Sequence, residues 1–203
     1  MRHDVANATS FREIERFTMQ DYKEYLDEVL ISKEDLQKRI AELGKQISQD
    51  YHDKQILMIC ILRGGVMFLS DLIRHVTIPV AIEFMAVSSY GSGARASNGE
   101  VRITLDLNTS ITGKEVIIVE DIIDSGHTLA SVIELLQTRN PASLCVCTLL
   151  DKFERREVPV PIRYCGFQIE DKFVFGYGLD MDEYYRNLPF IGTVDLERYD
   201  PKI

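Results

Sequence analysis

Residues 116–129 read VIIVEDIIDSGHTL, and this stretch decides how the rest of the chain is read. Four apolar residues, Val116, Ile117, Ile118 and Val119, run into the adjacent carboxylates Glu120 and Asp121. Ile122, Ile123 and Asp124 follow, then the small polar turn Ser125-Gly126-His127-Thr128. Beyond the turn Leu129, Val132, Ile133 and Leu136 recur at i, i+3, i+4 and i+7, the core stripe of a helix. The order is strand, acidic loop, small-residue turn, helix. A helix that opens behind a Gly-containing turn presents unpaired N–H groups and the positive end of its dipole, a natural seat for a phosphate. Carboxylates beside such a seat repel the ligand unless they hold hydroxyls, a metal ion or a moving proton. The pattern predicts a ligand with a phosphate at one end, a sugar diol next to it and a reacting centre beyond.

Working outward, Ser32 and Asp35 resemble a capping box with Asp in place of the usual Glu. Leu36, Ile40, Leu43 and Ile47 then mark one face of a helix that ends near Tyr51. The run ILMICIL at 56–62 is apolar throughout, as expected of a central strand buried on both faces. Arg63-Gly64-Gly65 breaks it, and Leu69, Leu72, Ile73 and Val76 outline the next helix. Further strand-like runs lie at 80–87, 101–107, 115–119 and 144–150. Such alternation gives right-handed βαβ units and a mostly parallel sheet. Ligands of these sheets bind beyond the carboxyl ends of the strands. There the unusual residues fall: Arg63-Gly64-Gly65, Ser88-Ser89-Tyr90, Glu120 to Thr128, and Asp151-Lys152. The run SSYGSGARASNG at 88–99 is too rich in Gly and Ser to pack, and reads as a lid-like loop. Residues 1–17 lack periodicity and read as a loose extension, leaving 18–203 as a single domain.

A length of 203 residues suffices for a full core in one α/β domain with a decorating lobe. The formal net charge of -9 argues against nucleic acid or an anionic membrane as partner. Local amides and a cation can still capture a small anion. Cys60, Cys145, Cys147 and Cys165 sit in strand-like runs without zinc spacing and read as reduced core thiols. With a polar N-terminus, MRHDVANATSFREIERF, and no long apolar stretch, the expected location is the cytoplasm. No G-x-G-x-x-G follows a strand, which weighs against a dinucleotide-binding domain.

The run E-D-I-I-D-S-G-H-T closely resembles the signature of phosphoribosyltransferases that use 5-phosphoribosyl 1-pyrophosphate, in the form found in the hypoxanthine-guanine branch. Leu62-Arg63-Gly64-Gly65 is similar to the pyrophosphate loop of that family, where Lys often stands at the position of Arg63 and the preceding peptide can be cis. The stretch DKFVFGYGLDMDEYYRNL at 171–188 resembles its purine- and pyrophosphate-binding part, and the resemblance runs from about Val29 to Pro189. It implies a type I phosphoribosyltransferase-like α/β fold: a mostly parallel twisted sheet flanked by helices, with a core over about 36–170 and a small hood from the terminal segments.

The resemblance also implies roles. The phosphoribosyl donor is held by Arg63, Gly64, Glu120, Asp121, Ile122, Ile123, Asp124, Ser125, Gly126, His127, Thr128 and Arg186. Within that set, Ser125 to Thr128 take the 5′-phosphate, with the backbone of His127 counting for more than its imidazole. Glu120 and Asp121 hold the ribose hydroxyls, directly or through Mg²⁺, and Asp180 reaches a second Mg²⁺ through water. On the purine side Phe173 stacks, Lys152 donates to the 6-oxo group and Val174 reads the base edge through its backbone, with Asp180 in the same purine-binding set. Ser89 and Tyr90 belong to the lid, and Asp124 is the candidate general base. The implied reaction is purine salvage: transfer of the 5-phosphoribosyl group to hypoxanthine or guanine, giving IMP or GMP and pyrophosphate, in a homodimer or homotetramer. A xanthine-preferring relative and a non-catalytic sensor of the donor remain as alternatives.

Overall fold

The computed structural model describes residues 22–89 and 101–199. Its centre is β2 (Ile56–Leu62), an apolar strand with parallel neighbours on both sides, β3 (Val80–Ser89) and β5 (Glu115–Ile123). β6 (Ser143–Asp151) and β7 (Ile162–Gln168) extend the sheet in parallel beyond β5. β4 (Val101–Leu105) closes the opposite edge antiparallel to β3. The strand order is β4-β3-β2-β5-β6-β7.

The period-2 geometry of the strands splits the core in two. Along β2, Met58 and Cys60 face one cluster while Leu57, Ile59 and Ile61 face the other. The first cluster is covered by α1 (Lys33–Asp50), through Leu36, Ile40, Leu43 and Ile47, and by α2 (Val66–Leu72), through Phe68, Leu69 and Leu72. The second is covered by α3 (His127–Gln137), through Leu129, Val132, Ile133 and Leu136. Ser32 caps α1 by accepting from the Asp35 N–H, as the capping pattern predicts. Because α2 leaves β2 on one face and α3 leaves β5 on the other, the loops after these neighbouring strands diverge and open a crevice between them.

A second sheet of three antiparallel strands, β1 (Leu26–Ile31), β9 (Ile191–Val194) and β8 (Val174–Phe175), joins the two ends of the described chain. Val174 and Ile191 pack into the first core cluster, while Phe175 and Val194 form a third with Met181 and Tyr199. Val174 of this small sheet also lines a cavity with Ile122, Asp124 and Lys152 at the carboxyl edge of the main one.

Three expectations need correction. β5 does not end at Val119 but runs to Ile123, with Glu120 opposite Thr148 and Ile122 opposite Leu150, so the carboxylates stand on strand rather than loop. The helix after Gly65 ends at Leu72, and Ile73–His75 form a 3-10 turn. β4 ends at Leu105 rather than 107. Lys152, expected to donate into the purine site, is buried just after β6. β1 and β9 were not foreseen, and β7 was marked only by the strand-like run around Cys165.

Candidate active site

The turn after β5 forms the first part of the site. Gly126 caps α3 from the left-handed region, at φ 90°, with no side-chain cap. A residue with a Cβ would be strained there and would also meet the Val158 carbonyl at 3.1 Å. The first-turn N–H groups of α3 are thus left for a ligand. The turn is backed by the segment after β6: the N–H groups of Glu157 and Val158 donate to the Ser125 carbonyl at 3.0 and 3.3 Å. His127 faces this backing rather than the turn, its Nε2 lying 2.8 Å from Glu157.

Glu120 and Asp121 carry the electrostatic tension of the site. Oε2 of Glu120 is buried and has no hydrogen-bond partner. Burial first, then the neighbouring Asp121, holds the Glu120 carboxyl well above the usual carboxylate range. Asp121 is also raised by burial, although the Ile122 N–H and Arg186 act in the opposite direction. The pair is a poor home for two bare negative charges and a good one for groups that compensate them.

The loop after β2 reaches the same place. The Leu62–Arg63 peptide is cis. Gly64 packs so tightly on the Asp121 carboxylate that an added Cβ would overlap it. Arg63 extends to Glu183 at 2.6 Å, and Arg186 pairs with Asp180 at 2.7 Å while donating to the Gly178 carbonyl at 2.7 Å. In this state, then, both arginines implied for pyrophosphate are engaged with the 176–186 loop.

Two cavities occupy the carboxyl edge of the sheet. One, of about 230 Å³, is lined by Glu120, Ile122, Ile123, Asp124, Ser125, Gly126 and Thr128 with apolar neighbours. The other, of about 560 Å³, is lined by Ile122, Asp124, Lys152, Phe173, Val174, Leu179, Asp180, Asp182 and Glu183. They meet at Ile122 and Asp124, so Asp124 stands between the phosphate turn and the second pocket. Phe173 presents a ring that is 47% exposed, as a stacking platform must. Behind it Tyr199 lies 6.4 Å away, centroid to centroid.

The structure thus brings together the anticipated residues of β5, the phosphate turn, β6 and the 173–186 segment. Arg63, Gly64, Asp121 and Arg186 adjoin the cavities without lining them. Ser89 ends β3, and Tyr90 lies outside the described residues. Sequence reasoning missed Arg155, Asp171, Asp182 and Glu183. Arg155 contacts Asp124 at 2.8 Å and Asp171 at 3.1 Å, and Lys152 reaches Asp171 at 3.3 Å. Arg155 lies in the charged run DKFERRE at 151–157, and Asp171, Asp182 and Glu183 lie in the 171–188 stretch, where no role was read for them.

A mostly parallel sheet with a glycine turn and helix N-terminus after its acidic strand, together with a small second sheet, defines a class. The family model for the phosphoribosyl transferase domain matches residues 30–182, and the chain belongs to that family. Its fold is the type I phosphoribosyltransferase fold. The chain is 53% identical over 178 residues to a hypoxanthine phosphoribosyltransferase of Haemophilus influenzae, covering 86% of this chain and 99% of that one. A hypoxanthine-guanine phosphoribosyltransferase of Dictyostelium discoideum is 48% identical over 176 residues, covering 85% and 97%. The crystal structure of a hypoxanthine phosphoribosyltransferase from Staphylococcus aureus matches with a TM-score of 0.84 at 48% identity, over 88% of this chain and 96% of that one.

Proposed function

We propose that the protein is a purine-salvage enzyme that transfers the 5-phosphoribosyl group from 5-phosphoribosyl 1-pyrophosphate to hypoxanthine or guanine, giving IMP or GMP and pyrophosphate. The observation that carries this reading is the meeting of the two cavities at Asp124. At one end stands an amide-lined turn suited to a phosphate. At the other stand a buried ammonium, Lys152, and an exposed ring, Phe173. N9 of the base attacks C1′ as the bond from C1′ to the pyrophosphate oxygen breaks, and that oxygen keeps the electron pair. The proton on N7 passes to the Asp124 carboxylate, in the cavity wall beside the base. Orientation of the two substrates and exclusion of water are the protein's main contributions.

The residues fit Mg²⁺. Glu120 and Asp121 offer a strained carboxylate pair with an orphaned oxygen, and Asp180 lies across the base cavity. Among the described residues no cluster of three or more His, Cys, Asp or Glu could hold a metal ion. Mg²⁺ takes one or two protein carboxylates and completes its shell with water and phosphate. Glu120 and Asp121 would hold one ion and Asp180 would reach a second through water; when bound, the metal neutralises charge on the departing pyrophosphate.

Lys152 offers only donors, which match the 6-oxo group and not the 6-amino group of adenine. Relatives 53% and 48% identical are named hypoxanthine and hypoxanthine-guanine phosphoribosyltransferase. This favours hypoxanthine and guanine over the xanthine alternative. The free thiols suit a reducing cytoplasm, and a homodimer or homotetramer is the assembly expected. Turnover with donor, Mg²⁺ and each base in parallel tests the reading. Hypoxanthine and guanine should react, with adenine slower by about 10⁴-fold; comparable rates with adenine would refute it.

A further inference from the structure

Arg155 stands in the 3-10 turn Phe153–Arg155, directly after Lys152, and joins residues that are far apart in sequence. Its Nε lies 2.8 Å from Oδ1 of Asp124, an ionic contact without hydrogen-bond alignment. Its Nη1 donates to Oδ2 of Asp171 at 3.1 Å, and Oδ1 of Asp171 accepts from Nζ of Lys152 at 3.3 Å. Negative and positive groups alternate along Asp124–Arg155–Asp171–Lys152, so the chain of four is neutral. Its middle members are half exposed, 49% for Arg155 and 48% for Asp171, and pairs of that kind contribute little to stability. They do fix direction. Oδ1 of Asp124 is buried against the guanidinium, which leaves Oδ2 to carry the exposure of the carboxylate. In a 6-oxopurine, N7 and O6 lie on the same edge. The two ends of the chain of four, Asp124 and Lys152, line the same cavity.

We propose that Arg155 is a positioning residue for that purine edge: it holds Oδ1 of Asp124 so that Oδ2 receives the N7 proton, and through Asp171 it aims Lys152 at the 6-oxo group. The inference rests on Asp124 as base and Lys152 as 6-oxo donor. Arg155 touches neither substrate, and Asp171 acts only through its two cations.

Steady-state kinetics and melting curves of the whole enzyme with Mg²⁺, donor and hypoxanthine test this. Arg155→Ala should lower kcat roughly 10- to 100-fold through misplacement of the base, leaving donor KM and Tm near wild type. Arg155→Lys, which can still reach Asp124, should recover part of that loss. Asp171→Asn should mainly raise KM for hypoxanthine, roughly tenfold for one weakened charged hydrogen bond. Wild-type kcat in Arg155→Ala overturns the inference. So does a parallel loss of kcat, both KM values and Tm with no recovery in Arg155→Lys, since that pattern is structural. Asp124→Asn, measured alongside, separates the two readings. If it turns over like wild type, the assignment of the base falls; if it is slow while Arg155→Ala is not, only the role of Arg155 falls.

Discussion

Glu120 shows at the scale of one residue how burial without a partner can cost stability. Its carboxyl is raised by burial and by Asp121, so the folded protein binds a proton at this position more tightly than the unfolded chain does. The associated stabilisation is present below the ordinary Glu range and is lost as pH rises through the elevated folded value. Glu120→Gln removes that loss. In metal-free protein the variant should therefore melt higher than wild type at pH 8, with a smaller difference at pH 5, while productive donor binding weakens. A variant that melts lower than wild type at pH 8 would show that the carboxylate is not a source of strain. The adjacency of Glu120 and Asp121 could be read from sequence, but their strain could not. It arises because β5 continues past them and Gly64 seals one of them in, a contact between segments 57 residues apart in number (121 − 64).

Elements follow the sequence where burial is one-sided or complete. The periodic faces of α1 and α3 and the unbroken ILMICIL of β2 leave no other reading, because each matches a core cluster residue for residue. β7, reading IRYCGFQ, showed only as a strand-like run around Cys165, because one neighbour and a half-exposed face give it no clear alternation. β8 was unreadable for a different reason: it is two residues long and exists only through its pairing with β9. The 176–186 loop is likewise a tertiary object. Gly178 adopts φ 101°, and a Cβ there would collide with the Gly64 carbonyl, so the loop after β2 and the loop after β8 are held in register by the absence of a side chain. Gly178→Ala combines strain with collision and should destabilise by more than about 1 kcal/mol, lowering Tm by at least roughly 2–4 °C. It should also displace Gly64 from Asp121. Kinetics should show donor KM rising more than hypoxanthine KM, and equal changes in both would place the damage outside the pyrophosphate loop.

At the scale of the molecule the site is a seam between two sheets. The main sheet supplies the phosphate turn, Asp124 and Lys152; the small sheet and its loop supply Val174, Phe173 just before it, and the Asp180–Arg186 pair. An overall charge of -9 leaves room for anion capture at the α3 amides behind Gly126, because backbone dipoles act locally. A nucleoside monophosphate that bridges the two cavities would tie one sheet to the other through groups that unfold with both. Ligand that binds only the folded state stabilises by about 2.7 kcal/mol at a hundredfold excess over Kd, which for a chain of this size raises Tm by roughly 5–10 °C. IMP or GMP with Mg²⁺ should produce that rise. Ribose 5-phosphate, which fills only the turn, should at equal concentration produce much less, because it leaves Phe173 and Lys152 unengaged. Equal shifts from the two ligands would mean that the cavities bind independently, and that Asp124 does not stand between two halves of one substrate.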